Sequence, residues 1–155
     1  MIFKILLAGD GGQGVQTVAD LICRTAFKKN YQVSHIPNYG LEQRGGVSLA
    51  FIQISDEKIG YPKFSVPNIL VVMSDQARER VKQYSSEILL DIKDLKEEVE
   101  KQKIKPQNLN IFFLKLLADI LQEKNIISTD ELYISLEEKL SKKENWEEIK
   151  IILNK

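Results

Sequence analysis

The chain has one cysteine, Cys23, and one histidine, His35. One thiolate cannot hold an iron–sulfur cluster or a structural zinc, and it cannot close an internal disulfide. Neither residue has a partner at nucleophile or metal spacing, so both are assigned to structure. Net charge is also absent, with 22 basic and 22 acidic residues, which gives no reason to expect nucleic acid or an anionic membrane as partner. No apolar run is long enough to cross a bilayer, and the first residues lack the apolar segment of a signal peptide, so a soluble cytoplasmic protein is expected. Glycine is missing from the whole later part of the chain. All 8 glycines lie at or before Gly60, so the shaped loops belong to the first part and the rest is expected to be scaffold or contact surface. No internal repeat or low-complexity segment interrupts the 155 residues, a length suited to one domain, 1–155.

What is present is a concentration of glycine in Gly9-Asp10-Gly11-Gly12-Gln13-Gly14. Glycine is needed where the backbone takes positive φ, or where another backbone or a ligand comes too close for a Cβ. The stretch follows an apolar run, residues 2–8, and opens into a helical pattern. A strand-to-helix turn of this kind presents unpaired N–H groups at the positive end of a helix dipole, which suits phosphate or carboxylate. The spacing Gly9-x-Gly11-x-x-Gly14 also matches the dinucleotide fingerprint. A dinucleotide site would place an acid about 20 residues further on, at the end of the next strand. Residues 31–36 hold none, so NAD binding is not expected. The triplet Gly9-Asp10-Gly11 resembles the opening of the thiamine diphosphate and Mg²⁺ motif, but the Asn pair that completes it is absent. Asp10 could touch a metal or water; an Asp in such a turn more often bonds its own backbone.

Residues 2–8 read as a strand covered on both faces. From Gln13 to about Lys29, Val15, Val18, Ala19, Ile22, Cys23 and Ala26 recur at helical spacing, and residues 31–36 supply a second strand, closing a right-handed strand, helix, strand unit. Residues 37–46 read as a loop, because Pro37 blocks strand pairing and three glycines follow. Strands are expected over 47–54, 69–73 and 87–92, with a short exposed helix over 75–83. The charged stretch 93–106 is the nearest thing to a linker. Helices follow, one carrying Leu109, Phe112, Phe113, Leu117 and Leu121 and stopping near Asn125, a second starting at the capping box Ser128-x-x-Glu131, and a last one holding Trp146, Ile149, Ile152 and Leu153. The expected fold is α/β, a Rossmann-like, mostly parallel sheet with flanking helices over 1–92 and a mainly helical segment over 93–155.

The loops after the first and second strands leave from the same edge of such a sheet, where ligands collect, and could face one another. The second brings Arg44, which either grips an anion through its forked donors or pairs with Glu42 nearby.

Gly9-Asp10-Gly11-Gly12-Gln13-Gly14-Val15-Gln16-Thr17, followed by Pro37-Asn38-Tyr39-Gly40-Leu41-Glu42-Gln43-Arg44-Gly45-Gly46, resembles the gamma subunit or domain of the 2-oxoacid:ferredoxin oxidoreductases. The resemblance extends through Ser55-Asp56-Glu57-Lys58-Ile59-Gly60-Tyr61-Pro62 and Pro67-Asn68-Ile69-Leu70-Val71-Val72-Met73, about the first 75 residues; residues 87–106 are shorter than the family usually has there. It implies a multi-subunit enzyme that decarboxylates a 2-oxoacid on thiamine diphosphate, passes electrons through iron–sulfur clusters to ferredoxin, and delivers the acyl group to coenzyme A. The gamma part would bind neither thiamine diphosphate, Mg²⁺ nor clusters, which belong to alpha-, beta- and delta-type partners, and would serve assembly and the coenzyme A side. The resemblance places a binding site at Gly11, Gly12, Gln13, Gly14, Thr17, Tyr39, Arg44, Gly45 and Gly46. The wording at Tyr39-Gly40 and Arg44-Gly45-Gly46 favours 2-oxoglutarate or branched-chain members over pyruvate ones. A free-standing nucleotide-binding module with a regulatory role is the alternative from a different class.

Overall fold

The computed structural model describes residues 1–39 and 46–155, and of Tyr39 the backbone alone. The fold is α/β, a mostly parallel sheet flanked by helices with a helical C-terminal segment. Among the described residues, five strands, β1 (Ile2–Asp10), β2 (Gln32–Tyr39), β3 (Val47–Ser55), β4 (Ile69–Val72) and β5 (Ile88–Asp91), stand in the order β2-β3-β1-β4-β5. β1, β4 and β5 are parallel, and β3 runs against both β1 and β2, so every strand but β3 points the same way.

The place of β3 departs from the expected strand, helix, strand unit, in which β1 and β2 would be neighbours. β2 and β3 are joined by only seven residues, 40–46, and a link that short returns the chain beside the strand it has just left. β3 then pairs along β1 from Ile2↔Ser55 to Asp10↔Val47, and it separates β1 from β2. The loop expected from Pro37 onward also begins later, because Pro37 lies inside β2 opposite Ala50. β2 is an edge strand, with a neighbour to bond on one side only, which is where a sheet tolerates proline.

α1 (Val15–Lys28), α4 (Leu109–Glu123), α5 (Thr129–Leu140) and α6 (Trp146–Leu153) share the larger core on one face of the sheet. Phe3, Ile5 and Leu7 of β1 and Ile52 and Ile54 of β3 point into it, against Leu21 and Ile22 of α1 and Phe112 and Phe113 of α4. Each such side chain stabilises the fold by about 1.5–3 kcal/mol through burial. The opposite face carries a smaller core of Leu6, Ala8, Leu49, Phe51, Leu70 and Val72, covered by α2 (Asp75–Arg80) and by Phe64 and Tyr84, whose rings meet Phe51 edge-on.

The charged stretch 93–106 is no linker over most of its length. α3 (Ile92–Lys101) starts where the Asp91 carboxylate caps the Lys93 N–H at 3.0 Å, and Ile92, Leu95 and Val99 pack on the larger core. A 3₁₀ turn (Pro106–Asn108) leads into α4. The capping box forms as expected: Ser128 Oγ accepts from the Glu131 N–H at 3.1 Å, and Glu131 accepts from the Ser128 N–H at 2.9 Å. Asn125 ends α4 in the left-handed region at φ 59°. Among the described residues, no helix is long and apolar enough to cross a membrane.

Candidate functional site

The register Asp10↔Val47 and Tyr39↔Ser48 puts the turn after β1 and the connection after β2 on the same rim of the sheet. They touch there, because the Gly11 N–H donates to the Gly46 carbonyl at 2.7 Å. Arg44 and Gly45 fall outside the described residues, as does the side chain of Tyr39.

The turn itself is built by glycine geometry. Gly12 at φ 90° and Gly14 at φ 80° both occupy the left-handed region that disfavours a Cβ. Gln13 closes the turn: its N–H donates to the Asp10 carbonyl at 3.0 Å, its Oε1 accepts from the Asp10 N–H at 2.6 Å, and its Nε2 donates to the Met73 carbonyl at 3.3 Å. Both ends of that amide therefore brace the loop. Asp10 does not bond its own backbone as expected. Its Oδ1 accepts from Ser74 Oγ at 2.6 Å and Gln76 Nε2 at 3.0 Å, tying the turn to the start of α2. Among the described residues, no three His, Cys, Asp or Glu side chains converge on one point.

α1 opens at Gly14 with no side-chain cap and no acidic residue in its first turn. The positive end of a 14-residue helix thus meets the rim without a neutralising group of its own. Behind it, Gln16 Nε2 donates to the Leu49 carbonyl at 2.8 Å and to Ser48 Oγ at 2.9 Å, while Gln16 Oε1 lies 2.8 Å from His35 Nε2. A carboxamide oxygen only accepts, so His35 Nε2 carries the proton. Burial pushes the His35 pKa below its ordinary value, against the weaker pull of Asp20, which keeps the ring neutral at pH 7. His35 therefore has a structural partner, and it holds Gln16 in place.

Residues 10–17 and Ser48 line one side of a cleft of about 440 Å³, within the size range of small-molecule sites. Gly11, Gly12, Gln13, Gly14 and Thr17 all face it. The other side comes from the helical segment, expected from the sequence to be scaffold or contact surface. Asn110 packs on Gly14, where the Cβ of any larger residue would lie 3.0 Å from Asn110 Cγ. Asn108, Lys143 and Asn145 complete that side, and Asn108 is 98% buried, with 2% exposure. Asn108 Oδ1 accepts from Asn145 Nδ2 at 3.0 Å, and Asn108 Nδ2 donates to Glu148 at 3.0 Å. No spacing rule marks these amides in the sequence; the one available signal was three Asn clustered at helix starts, at 108, 110 and 145.

A family model, pyruvate ferredoxin/flavodoxin oxidoreductase, matches residues 4–98, more than half of the chain. The chain belongs to this family. The pyruvate ferredoxin/flavodoxin oxidoreductase match takes in the sheet, apart from Ile2 and Phe3 of β1, and the glycine turn, but stops before the Asn108 to Asn145 wall. Among curated proteins of the family, 2-oxoglutarate synthase subunit KorC of Methanothermobacter marburgensis is 46% identical over 76 residues, 48% of this chain and 40% of that one. The pyruvate/ketoisovalerate oxidoreductases common subunit gamma of Thermococcus kodakarensis is 31% identical over 115 residues, 70% of this chain and 62% of that one. The chain thus spans less than half the length of KorC. Two solved structures share the fold. The 2-oxoglutarate:ferredoxin oxidoreductase from Magnetococcus marinus, with 2-oxoglutarate, coenzyme A and succinyl-CoA bound, matches with a TM-score of 0.75 at 18% identity, over 99% of this chain and 31% of that one. The keto/oxoacid ferredoxin oxidoreductase gamma subunit from Geobacter sulfurreducens matches with a TM-score of 0.63 at 17% identity, over 98% and 96%.

Proposed function

We propose that the chain is the gamma subunit of a cytoplasmic, multi-subunit 2-oxoacid:ferredoxin oxidoreductase, acting as a single gamma-type domain in assembly and on the coenzyme A side of the site. The complex decarboxylates a 2-oxoacid oxidatively, with 2-oxoglutarate as the favoured substrate, and forms the acyl-CoA while reducing ferredoxin. Thiamine diphosphate, Mg²⁺ and iron–sulfur clusters on alpha-, beta- and delta-type partners supply the decarboxylation and electron transfer. The observation that carries this reading is the cleft at the uncapped start of α1, in a chain whose single cysteine suits no cluster. The names of the relatives, which include 2-oxoglutarate synthase and ketoisovalerate oxidoreductase subunits, support the substrate class.

Within the complex the chain's own part is to bind and orient. The N–H groups at the start of α1 hold a coenzyme A phosphate, and the left-handed glycines let it approach the backbone. Gln13 and the Gln16–His35 pair keep the turn in that shape before the ligand arrives, so little ordering remains on binding. The cleft holds part of coenzyme A, and the remainder lies against partner subunits.

The test is reconstitution with the partner chains and measurement of 2-oxoglutarate- and coenzyme A-dependent ferredoxin reduction. The isolated chain is expected to show no turnover, and the complex to lose most of its activity when this chain is left out. Full activity without the chain, or tight NAD or ATP binding in place of coenzyme A, would overturn the reading in favour of a free-standing nucleotide module. The position of β3 argues against the NAD version of that module. It sets the end of β2, where a ribose-binding acid would stand, a strand further from the glycine turn.

A further inference from the structure

An edge strand ordinarily protects itself. A short length, a charged side chain or a covering loop keeps its free row of N–H and C=O groups from pairing with another chain. β5, one edge of this sheet, follows that rule, with four residues bounded by Glu87 and Asp91. β2, the other edge, does not. It is eight residues long, and among the described residues no strand pairs with its outer side. It lies in the longest uncharged run of the chain, residues 30–41, whereas the next longest, 45–55 and 64–74, hold the interior strands β3 and β4. Its histidine, His35, is neutral at pH 7. Pro37 is the single blunting device, and it stands near the far end of the strand, leaving residues 32–36 open.

The surface beside this edge is apolar. Tyr61 and Phe27 are the two most exposed large apolar side chains among the described residues, at 83% and 68%, and one stands on each face of the sheet at the start of β2. Gln16 and Phe27 are three turns apart on one stripe of α1, and Gln16 meets His35 on the larger-core face. The Asn30 N–H, just before β2, donates to the Phe27 carbonyl at 2.9 Å. On the other face, Gln53, opposite Ser34, donates to the Tyr61 carbonyl, and Lys58, Ile59 and Pro62 form a cleft with residues 32–34 in which Lys58 is the one charged residue. Lys28 and Lys29, at the end of α1, are turned away to Glu138 and Glu131 of α5.

We propose that β2 is a pairing edge for a second copy of this chain. Two β2 strands run antiparallel across a two-fold axis and join the sheets of two protomers into one of ten strands, with Phe27 and Tyr61 covering the seam on its two faces. An isologous contact sets one surface against itself, so a charge on the strand would tend to meet its own kind. A strand without charge pairs with itself free of that penalty, whereas a partner selected by charge would need a cation or anion that β2 does not carry. The size is also sufficient. An aromatic side chain buries about 150–250 Å², so two from each protomer supply about 600–1,000 Å². The paired strands carry the total to the lower range of stable interfaces, about 1,200 Å². This pairing goes beyond the coenzyme A reading and does not depend on it.

Sedimentation velocity on the full chain over about 1–200 µM tests this. The wild type is expected to form a dimer of twice 17.8 kDa at the upper end, with amide exchange at residues 32–36 slowing as it assembles. Gln32→Lys combined with Asn38→Lys puts like charges at two exposed positions of β2 and should weaken association about tenfold or more. Phe27→Ala combined with Tyr61→Ala, which leaves the strand untouched, should do the same. Leu89→Lys adds the same charge to the β5 edge and should stay within about threefold of wild type. A native circular dichroism spectrum certifies the fold of each variant. A wild type that is monomeric throughout would overturn the proposal, as would a dimer that persists in both double variants or one that Leu89→Lys breaks equally. A chain that is monomeric alone, and whose 32–36 amides gain protection only when partner subunits are added, would give the edge to a partner's strand and refute self-pairing.

Discussion

Replacing Gly14 by alanine, with Gly12→Ala as its control, separates two reasons for a glycine at the turn. Both residues sit in the left-handed region, where an L-residue costs about 1–2 kcal/mol. Both substitutions also stiffen the unfolded chain, which returns about 0.4–1 kcal/mol. Gly12 has nothing within 4 Å of a new Cβ, so Gly12→Ala should cost about 0.5–1 kcal/mol net. At Gly14 the new methyl meets the Asn110 carboxamide, with Cγ at 3.0 Å and Cβ at 3.3 Å, and overpacking of that kind adds about 1–3 kcal/mol. Gly14→Ala should therefore cost about 2–3 kcal/mol, which at about 2–4 °C per kcal/mol lowers the melting temperature by roughly 4–12 °C. Urea and thermal denaturation read both values. Asn110→Ala in the Gly14→Ala background should recover about 1–2 kcal/mol of the loss, because it removes the obstacle while the strained φ remains. Equal costs at the two glycines, or no recovery on trimming Asn110, would refute the claim that α4 packs on the turn.

Two further outcomes follow from charge and burial. The Asp91 carboxylate is 1% exposed and receives Arg78 Nε at 2.7 Å and Nη2 at 2.6 Å. Burial alone would raise its pKa, but the Arg78 bonds and the Lys93 N–H outweigh that and hold it below the usual carboxylate range. Its stabilising contribution is complete above the unfolded carboxyl value, about pH 4, and fades as pH falls through the lower folded value. Arg78→Ala should cost about 3 kcal/mol at pH 7 by stranding a buried charge, and the gap to wild type should narrow on acidification as Asp91 takes up a proton. Chemical denaturation at pH 7 and pH 3.5 checks both, and a gap that widens in acid would refute it. Burial, with a smaller push from Asp20, raises the Cys23 thiol to about 12, so iodoacetamide at pH 8 should label the unfolded chain and spare the native one. Rapid native labelling, followed by mass spectrometry, would contradict the burial of α1.

The parts of this fold that could be read in advance are those where chemistry fixes the local backbone. Four glycines between an apolar run and a helical stripe can form little but a strand-to-helix turn, and Ser128-x-x-Glu131 specifies its own helix start. The turn residues could therefore be named beforehand, and Gly11, Gly12, Gln13, Gly14 and Thr17 do come together on the cleft. The place of β3 was less obvious, though the shortness of the 40–46 link contained it, since parallel neighbours need a crossover of a dozen residues or more. α3 was hidden by its charge: Ile92, Leu95 and Val99 keep helical spacing, but lysine and glutamate outnumber them. The second wall of the cleft was not legible at all. Asn108, Asn110, Lys143 and Asn145 owe their places to the docking of α4 on α1 and of α6 on α4, a tertiary event that no local pattern encodes.

The cleft joins a turn at residues 10–17 to a bend at residues 141–145, two stretches far apart in sequence. During synthesis the glycine turn emerges long before its opposite wall, so a nascent chain that lacks the 141–145 bend has only half of the cleft. Whatever fills the cleft acts as a brace between these two distant stretches, and by binding the folded form alone it guards the packing of α4 and α6 against local opening.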